Sequence, residues 1–149
     1  MEQEKITQKR ESKYFQQLKF LVASYFLYKF SFMAASNGAV NRVERRARGV
    51  CEGCRRSVDS DYALVAHINH KRGINYNNPD YLQYYCLRCE AIHHLSHIHA
   101  PQAIGMDAYD NLTAAKGALA RLTDEDYTYM VENYSSAMRA MGEMLDARI

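Results

Sequence analysis

The 149-residue chain has few of the residues that mark fibrous or linker-rich proteins. Its 2 Pro and 7 Gly are too few for a collagen-like chain or for one built mainly of linkers. It contains no glycine-rich phosphate-binding loop and no serine or cysteine nucleophile arrangement. Its polar first residues lack a basic segment leading into an apolar core, so we expect no secretory signal.

Charge and hydrophobic content are those of an ordinary globular domain. Lys and Arg total 19 against 17 Asp and Glu, so the formal net charge is +2. Hydrophobic residues make up 48% of the chain and charged residues 24%, a balance that argues against general disorder. The weak positive charge permits nucleic-acid binding without requiring it.

The most apolar stretch, residues 14–33, is long enough on paper to span a bilayer. Lys19 and Lys29 interrupt it, and ionised side chains are costly deep in a membrane. We therefore predict a buried helix and no membrane partner. A cytoplasmic location follows, in which the 4 Cys are thiols or metal ligands rather than disulfides.

Ligand-type residues are segregated, because all 4 Cys and all 6 His lie between Cys51 and His99. We divide the chain into a polar tail (1–13), a hydrophobic helix with a basic lead-in (14–48), a Cys/His module (49–99) and C-terminal helices (100–149). Within the module, the pattern predicts a strand at 62–68 and a helix at 89–97.

The C-terminal part carries two helix start signals. Asp107 is expected to cap a helix reaching Arg121, and Thr123, followed by three acidic residues, starts the last helix. Along the last helix, apolar residues recur in steps of four and three, which is the spacing of a coiled-coil seam. The seam residues are Tyr127, Val131, Tyr134, Met138, Met141 and Leu145. The seam packs either on the 14–33 helix or on a partner, for example in a homodimer through residues 127–145.

The strongest motif is a pair of CxxC knuckles, Cys51/Cys54 and Cys86/Cys89. Two residues between thiolates let a tight turn aim both sulfurs at one tetrahedral cation, and two such turns complete a closed site. A redox role is the alternative, but two copies in a reducing compartment favour structural zinc. Such a site contributes much of the folding energy of its module.

The segments around the knuckles read RRARGVCEGC (45–54), LVAHINHKRG (64–73), YNNPDYL (76–82) and EAIHH (90–94). Over residues 45–97 they resemble the HNH endonuclease family, the ββα-metal nucleases. That family places a His-bearing strand after one CxxC and an Asn-bearing loop next, and its second CxxC opens a helix with further His ligands. The resemblance implies an α+β fold, a zinc-stapled ββα module flanked by N-terminal and C-terminal helices.

The resemblance also implies hydrolysis of DNA phosphodiester bonds by a His general base and one divalent cation, such as Mg²⁺, Mn²⁺ or Ni²⁺. Two registers place the base at His70 or at His67. With His67 as base, the ligand position before it is Ala66, which cannot bind; with His70, Asn69 lies where a ligating Asp is expected. We favour His70, because the following Tyr-Asn-Asn-Pro run also suits that form of the family. The other expected ligands of the cation are Glu90 and His94. If the strand stayed extended to His70, the odd spacing would put the two histidines on opposite faces.

Basic residues flank the module in sequence, and next to a nuclease-like core they favour contact with the DNA backbone over a merely solvated face. They are Arg42, Arg45, Arg46, Arg48, Arg55, Arg56, Lys71 and Arg72. By family analogy, a small chain of this kind comes from a phage or mobile element. The altered ligand positions leave a second hypothesis, a catalytically degenerate HNH-fold zinc protein that binds nucleic acid or a protein partner. In either case we expect His93, His97 and His99 to be solvated or orienting residues rather than ligands.

Overall fold

The computed structural model describes residues 35–71, 73 and 75–147, and within them the chain is α+β with four α-helices and one two-stranded sheet. The elements are α1 (Asn37–Ala47), β1 (Ala63–His67), β2 (Leu82–Cys86), α2 (Leu87–Ser96), α3 (Ala108–Ala120) and α4 (Asp124–Asp146). The predicted α+β class is therefore confirmed. The predicted polar tail, the hydrophobic helix at 14–33 and Arg72 lie outside the described residues.

The two strands form an antiparallel hairpin that leads directly into a helix. Ala63 pairs with Cys86 and His67 with Leu82, and β2 runs into α2 without a loop. The α2 helix begins two residues before the predicted start, because the Cys86 sulfur accepts the Cys89 N–H (3.4 Å) and caps it. The result is a strand–strand–helix unit whose junction is a knuckle cysteine.

The arginine-rich lead-in, which the sequence analysis left without secondary structure, is helical in α1. Ser36 caps this helix, its hydroxyl oxygen accepting the Ala39 N–H. Small and branched apolar side chains recur every four residues at Ala39, Val43 and Ala47 and are buried. They pack against Leu82 and Tyr84 of β2, so α1 covers one face of the hairpin.

The other core joins α2, α3 and α4. Buried side chains of the three helices and their connection form it: Leu87, Ala91, Leu95, Ala115, Ala118, Leu119, Leu122 and Met130. Both predicted helix starts are confirmed, because Asp107 accepts the Asp110 N–H (2.7 Å) and Thr123 accepts the Asp126 N–H (3.2 Å). This core fixes α2, which carries Cys89 and two of the six histidines of the module, His93 and His94.

The predicted seam of α4 is used partly within the chain. Tyr127, Tyr134, Met138 and Met141 pack against the core of α2 and α3, whereas Val131 is 46% exposed. The helix is also kinked, because Tyr134 has non-helical φ and ψ of −130° and 24°. Pairing with residues 14–33 lies outside the described residues, and homodimerisation stays a prediction. Among the described helices, none combines the length and hydropathy needed to cross a bilayer.

Candidate metal centre and histidine cluster

The four cysteines come together as predicted, with their sulfurs all within 4.8 Å of one another. They are free thiols, and the Cys54 and Cys86 sulfurs lie 3.8 Å apart. Zinc–sulfur bonds of about 2.3 Å in a tetrahedron put neighbouring sulfurs about 3.8 Å apart, so the donor set fits zinc. In the described part of the chain, no second group of three or more His, Cys, Asp or Glu is gathered as tightly.

The first knuckle is shaped by backbone geometry. The Arg55 N–H donates to the Cys51 carbonyl (2.9 Å), and Arg55 adopts a left-handed φ of 65° to close the turn. A Cβ on Gly53 would lie 2.9 Å from the Cys89 sulfur, so no larger residue fits between the two knuckles. Hydrogen bonding among the sulfurs lowers the pKa of Cys51 and raises the pKa of Cys86 and Cys89. A metal bound there would have to displace protons from the neighbouring thiols.

Arg56 neutralises charge at the cysteine site. Its guanidinium donates to the Cys54 sulfur (3.4 Å) and the Cys86 sulfur (3.5 Å), and it also lies 3.3 Å from the Asp126 carboxylate of α4. Arg88 lies 3.8 Å from the same carboxylate and stacks at 4.0 Å on the Tyr129 ring. These contacts join the metal centre to the first turns of α4, and they occupy an arginine expected to contact DNA.

Arg46 is likewise engaged within the fold. It donates to both carboxylate oxygens of Glu52 (2.7 and 2.9 Å) and to the carbonyls of Pro79 (2.9 Å) and Leu82 (2.8 Å). The hydrogen bond from Arg46 lowers the pKa of Glu52, whose carboxylate also accepts the Tyr84 N–H. Arg46 is itself exposed, and the other predicted DNA-contacting residues that are exposed are Arg42, Arg45, Arg48, Arg55 and Lys71.

A second cluster lies where the end of β1 meets α2. The ring of His70 has its centre 5.8 Å from that of His67, 6.0 Å from that of His93 and 5.5 Å from that of His94. Two imidazoles on one tetrahedral ion have ring centres about 5 Å apart, which is close to the spacing of these rings. Their ligand atoms are less tightly gathered than the four sulfurs, so the rings would have to move to share a cation. We call His67, His70, Glu90, His93 and His94 the histidine cluster.

Glu90 and His94, both predicted ligands, form a buried pair on α2. The His94 Nε2 lies 2.8 Å from a Glu90 carboxylate oxygen, and both residues are at most 5% exposed. Burial alone would lower the pKa of His94, but the hydrogen bond with Glu90 raises it. The same contact holds the pKa of Glu90 below its usual range despite burial. A hydrogen bond therefore joins the two groups, and a metal bound there would take the place of its proton.

Three buried polar atoms of the histidine cluster have no hydrogen-bond partner among the described residues: the His70 Nε2, the His93 Nε2 and the second Glu90 oxygen. Burial lowers the pKa of His70 to about 3 and that of His93 to about 4, so both rings are neutral at pH 7. Unpartnered buried polar atoms are costly, and a bound ion would satisfy them. Neutral imidazole nitrogen and carboxylate oxygen are suitable donors for a divalent cation.

His67 is held differently from its neighbours. Its Nε2 lies 3.0 Å from the backbone carbonyl of Tyr76, and the Tyr76 ring stacks on it at 4.1 Å. Because a carbonyl only accepts, the Nε2 carries the proton and the Nδ1 keeps its lone pair. Burial lowers the pKa of His67, so this ring is also neutral at pH 7.

Asn69, the other predicted ligand, lies in an exposed turn beside the cluster. Its side-chain oxygen accepts the Lys71 N–H (2.9 Å), and the His70 N–H donates to the Ile104 carbonyl (2.7 Å). These two bonds direct the chain so that the ring of His70, rather than the amide of Asn69, faces α2. One contributor that the sequence analysis did not identify is Asn111 of α3, whose side-chain oxygen lies 2.9 Å from the His94 Nδ1.

Within the described residues, the chain is an α+β protein with four cysteines placed so that they could hold one metal ion. Comparison with family models, with curated proteins and with solved structures gave no match.

Proposed function

We propose that the chain is a metal-dependent endonuclease of the HNH kind, which hydrolyses DNA phosphodiester bonds. The observation that carries the proposal is the histidine cluster. It combines three unpartnered buried donor atoms with a neighbouring His67 whose hydrogen bond to Tyr76 leaves one nitrogen free. A cation ligand set beside a neutral imidazole base is the combination that phosphodiester hydrolysis requires.

In this proposal Glu90, His94 and His70 hold the divalent cation, and the four thiols hold structural zinc. The cation, when bound, neutralises charge on the scissile phosphate and on the leaving oxygen. Imidazole donors favour Ni²⁺ or Zn²⁺ over Mg²⁺, and a carboxylate such as that of Glu90 also suits Mn²⁺. Displacement of the proton on the His94 Nε2 frees both the imidazole and the Glu90 carboxylate for ligation.

His67 is the proposed general base. The Tyr76 carbonyl fixes the proton on the Nε2, so the Nδ1 can accept a proton from water. Burial keeps the ring neutral at the pH where it must act. This assignment differs from the register favoured on sequence, because His70 has a free, buried Nε2 beside Glu90 and His94 and is better suited to ligate the cation.

In this proposal the other exposed basic residues contact DNA, because the guanidinium groups of Arg46 and Arg56 are engaged within the fold. Contacts from exposed Arg and Lys to phosphates give affinity that weakens with salt and is independent of sequence.

A second candidate is a zinc module that binds nucleic acid without cutting it. Two observations favour it: Ala66, which offers no ligand, precedes His67, and the ligand atoms of the histidine cluster are less tightly gathered than the four thiols.

The test is cleavage of supercoiled plasmid by the zinc-loaded protein with Mn²⁺ or Ni²⁺. The wild type is expected to nick the plasmid, whereas His67→Ala abolishes nicking and retains Mn²⁺ binding. His70→Ala is expected to weaken both. His99→Ala is the matched control, because His99 is exposed and lies outside the histidine cluster. Absence of nicking together with salt-sensitive DNA retardation would support the second candidate, and absence of both would refute a DNA substrate.

A further inference from the structure

Asn111 is a polar residue at a buried position of α3 that lies among apolar core residues. It is 1% exposed on α3, next to Leu112 and one turn before Ala115, both buried in the core. A buried primary amide is costly unless its hydrogen bonds are made. Every side-chain hydrogen bond that Asn111 makes in the described structure goes to the last turn of α2.

The orientation of the Asn111 amide follows from its partners. The Nδ2 lies 3.1 Å from the His94 carbonyl and 3.3 Å from the His97 carbonyl, and carbonyls only accept. The amide nitrogen must therefore face them, which leaves the Oδ1 facing the His94 Nδ1 at 2.9 Å. Because the Oδ1 is also an acceptor, the His94 Nδ1 must carry the proton.

This arrangement fixes both the tautomer and the direction of the His94 ring. With the Nδ1 bound to Asn111, the Nε2 points to Glu90 at 2.8 Å, within the histidine cluster. A metal-ligating histidine commonly donates its second N–H to an acceptor that holds the ring in the ligating orientation and raises its basicity. Asn111 supplies that acceptor from α3, outside the Cys/His module.

We infer that Asn111 is the positioning residue for cation binding at His94, holding the Nδ1 proton so that the Nε2 faces Glu90 as a ligand. The inference rests on the proposed function in that it assumes a cation at this cluster. It does not depend on DNA cleavage.

Two substitutions separate this role from simple capping of α2. Asn111→Asp keeps an acceptor for the His94 Nδ1 and removes the amide donors to the two carbonyls, whereas Asn111→Leu removes both kinds of bond at similar volume. The probe is Mn²⁺ binding to the zinc-loaded protein, measured by calorimetry. We expect Asn111→Leu to weaken Mn²⁺ binding about 10–100-fold, whereas the Mn²⁺ affinity of Asn111→Asp should stay within about threefold of the wild-type value. Asn133→Leu, at an exposed site on α4, is the matched control and should bind Mn²⁺ as the wild type does.

The tautomer itself gives a second readout that does not require a variant to fold. Long-range ¹⁵N NMR of the wild type should report a protonated Nδ1 on His94, and Mn²⁺-free Asn111→Asp should retain it. Equal loss of Mn²⁺ affinity in both variants, a wild type that binds no Mn²⁺, or an unprotonated Nδ1 would overturn the inference. Mn²⁺ binding that depends on Asn111 in a protein that does not cut plasmid would sustain it and refute the proposed nuclease.

Discussion

Replacing Gly105 by Ala should destabilise the protein and disturb the position of His70. Gly105 follows the short helical turn Pro101–Ile104 with φ of +71°, where an alanine costs about 1 kcal/mol. An added Cβ would lie 2.6 Å from the Lys71 backbone nitrogen and from the Asn69 side-chain oxygen, closer than real Cβ atoms approach. Overpacking of this kind costs about 1–3 kcal/mol, so the total loss of unfolding free energy should be about 2–4 kcal/mol.

The same contact links Gly105 to the candidate site. The Asn69–Lys71 turn must move to admit the methyl group, and the hydrogen bond from the His70 N–H to the Ile104 carbonyl (2.7 Å) would lengthen with it. Mn²⁺ affinity of the zinc-loaded variant should therefore fall along with its stability.

Urea unfolding of the zinc-loaded protein measures the effect. Gly142→Ala on α4 is the matched control, because its Cβ would meet nothing within 4 Å and a helical Gly→Ala change stabilises by about 0.5–1 kcal/mol. A Gly105→Ala variant that loses less than about 1 kcal/mol, or that binds Mn²⁺ as the wild type does, would show that this close approach does not position His70.

Three further predictions concern the metal centre, pH and the basic residues. Elemental analysis should find about one zinc per chain. Cys51→Ser should abolish both tight zinc binding and the cooperative unfolding transition, and zinc retained by this variant would contradict the four-thiol site. The folded pKa values of His70 and His93, about 3 and about 4, lie below the unfolded value of 6.5, so the unfolded chain takes up protons first as the pH falls. Without added cation, the free energy of unfolding should therefore be greatest above pH 6.5. Between pH 6.5 and pH 5 it should fall by up to about 2 kcal/mol for each of the two residues. A His70→Gln, His93→Gln variant should lose that slope over pH 7–5, and an unchanged slope would refute the assignment. Arg46→Ala should cost about 1–2 kcal/mol, whereas the exposed Arg42→Ala should leave stability unchanged and weaken DNA retardation; equal stability losses would contradict the internal role of Arg46.

Features governed by local rules could be predicted from the sequence. The CxxC spacing sets sulfur positions through one turn, and the side chains of Asp107 and Thr123 cap helices within three residues of themselves. The strand expected at 62–68 is present as Ala63–His67, because a short apolar run is likewise a local signal. The helix in the lead-in was missed because arginines dominate its composition, although Ala39, Val43 and Ala47 follow the helical period.

Roles that depend on distant parts of the chain could not be predicted. Arg46 and Arg56 belong to a run of basic residues that is typical of a DNA-binding face. Arg46 is bound by Glu52 and two carbonyls near β2, and Arg56 by sulfurs and by Asp126, 70 positions away. Asn111 has no signal at all in the sequence, because an Asn in an amphipathic helix indicates an exposed position. Its burial follows only from where α3 packs on α2.

The alternation of side chains along a strand could not by itself decide whether His67 or His70 is the better candidate for the general base. His67 and His70 would face opposite sides if β1 continued, but β1 ends at His67. The chain then turns through the Asn69–Lys71 bond and is tied to the Ile104 carbonyl, which brings both rings to one side with centres 5.8 Å apart. Three residues within a stretch of four thereby acquire different surroundings: a carbonyl partner for His67, a solvent-facing turn for Asn69, and buried neighbours on α2 for His70. The proposed roles of base and ligand therefore depend on where the strand stops and on the turn at Asn69, which lies close against Gly105.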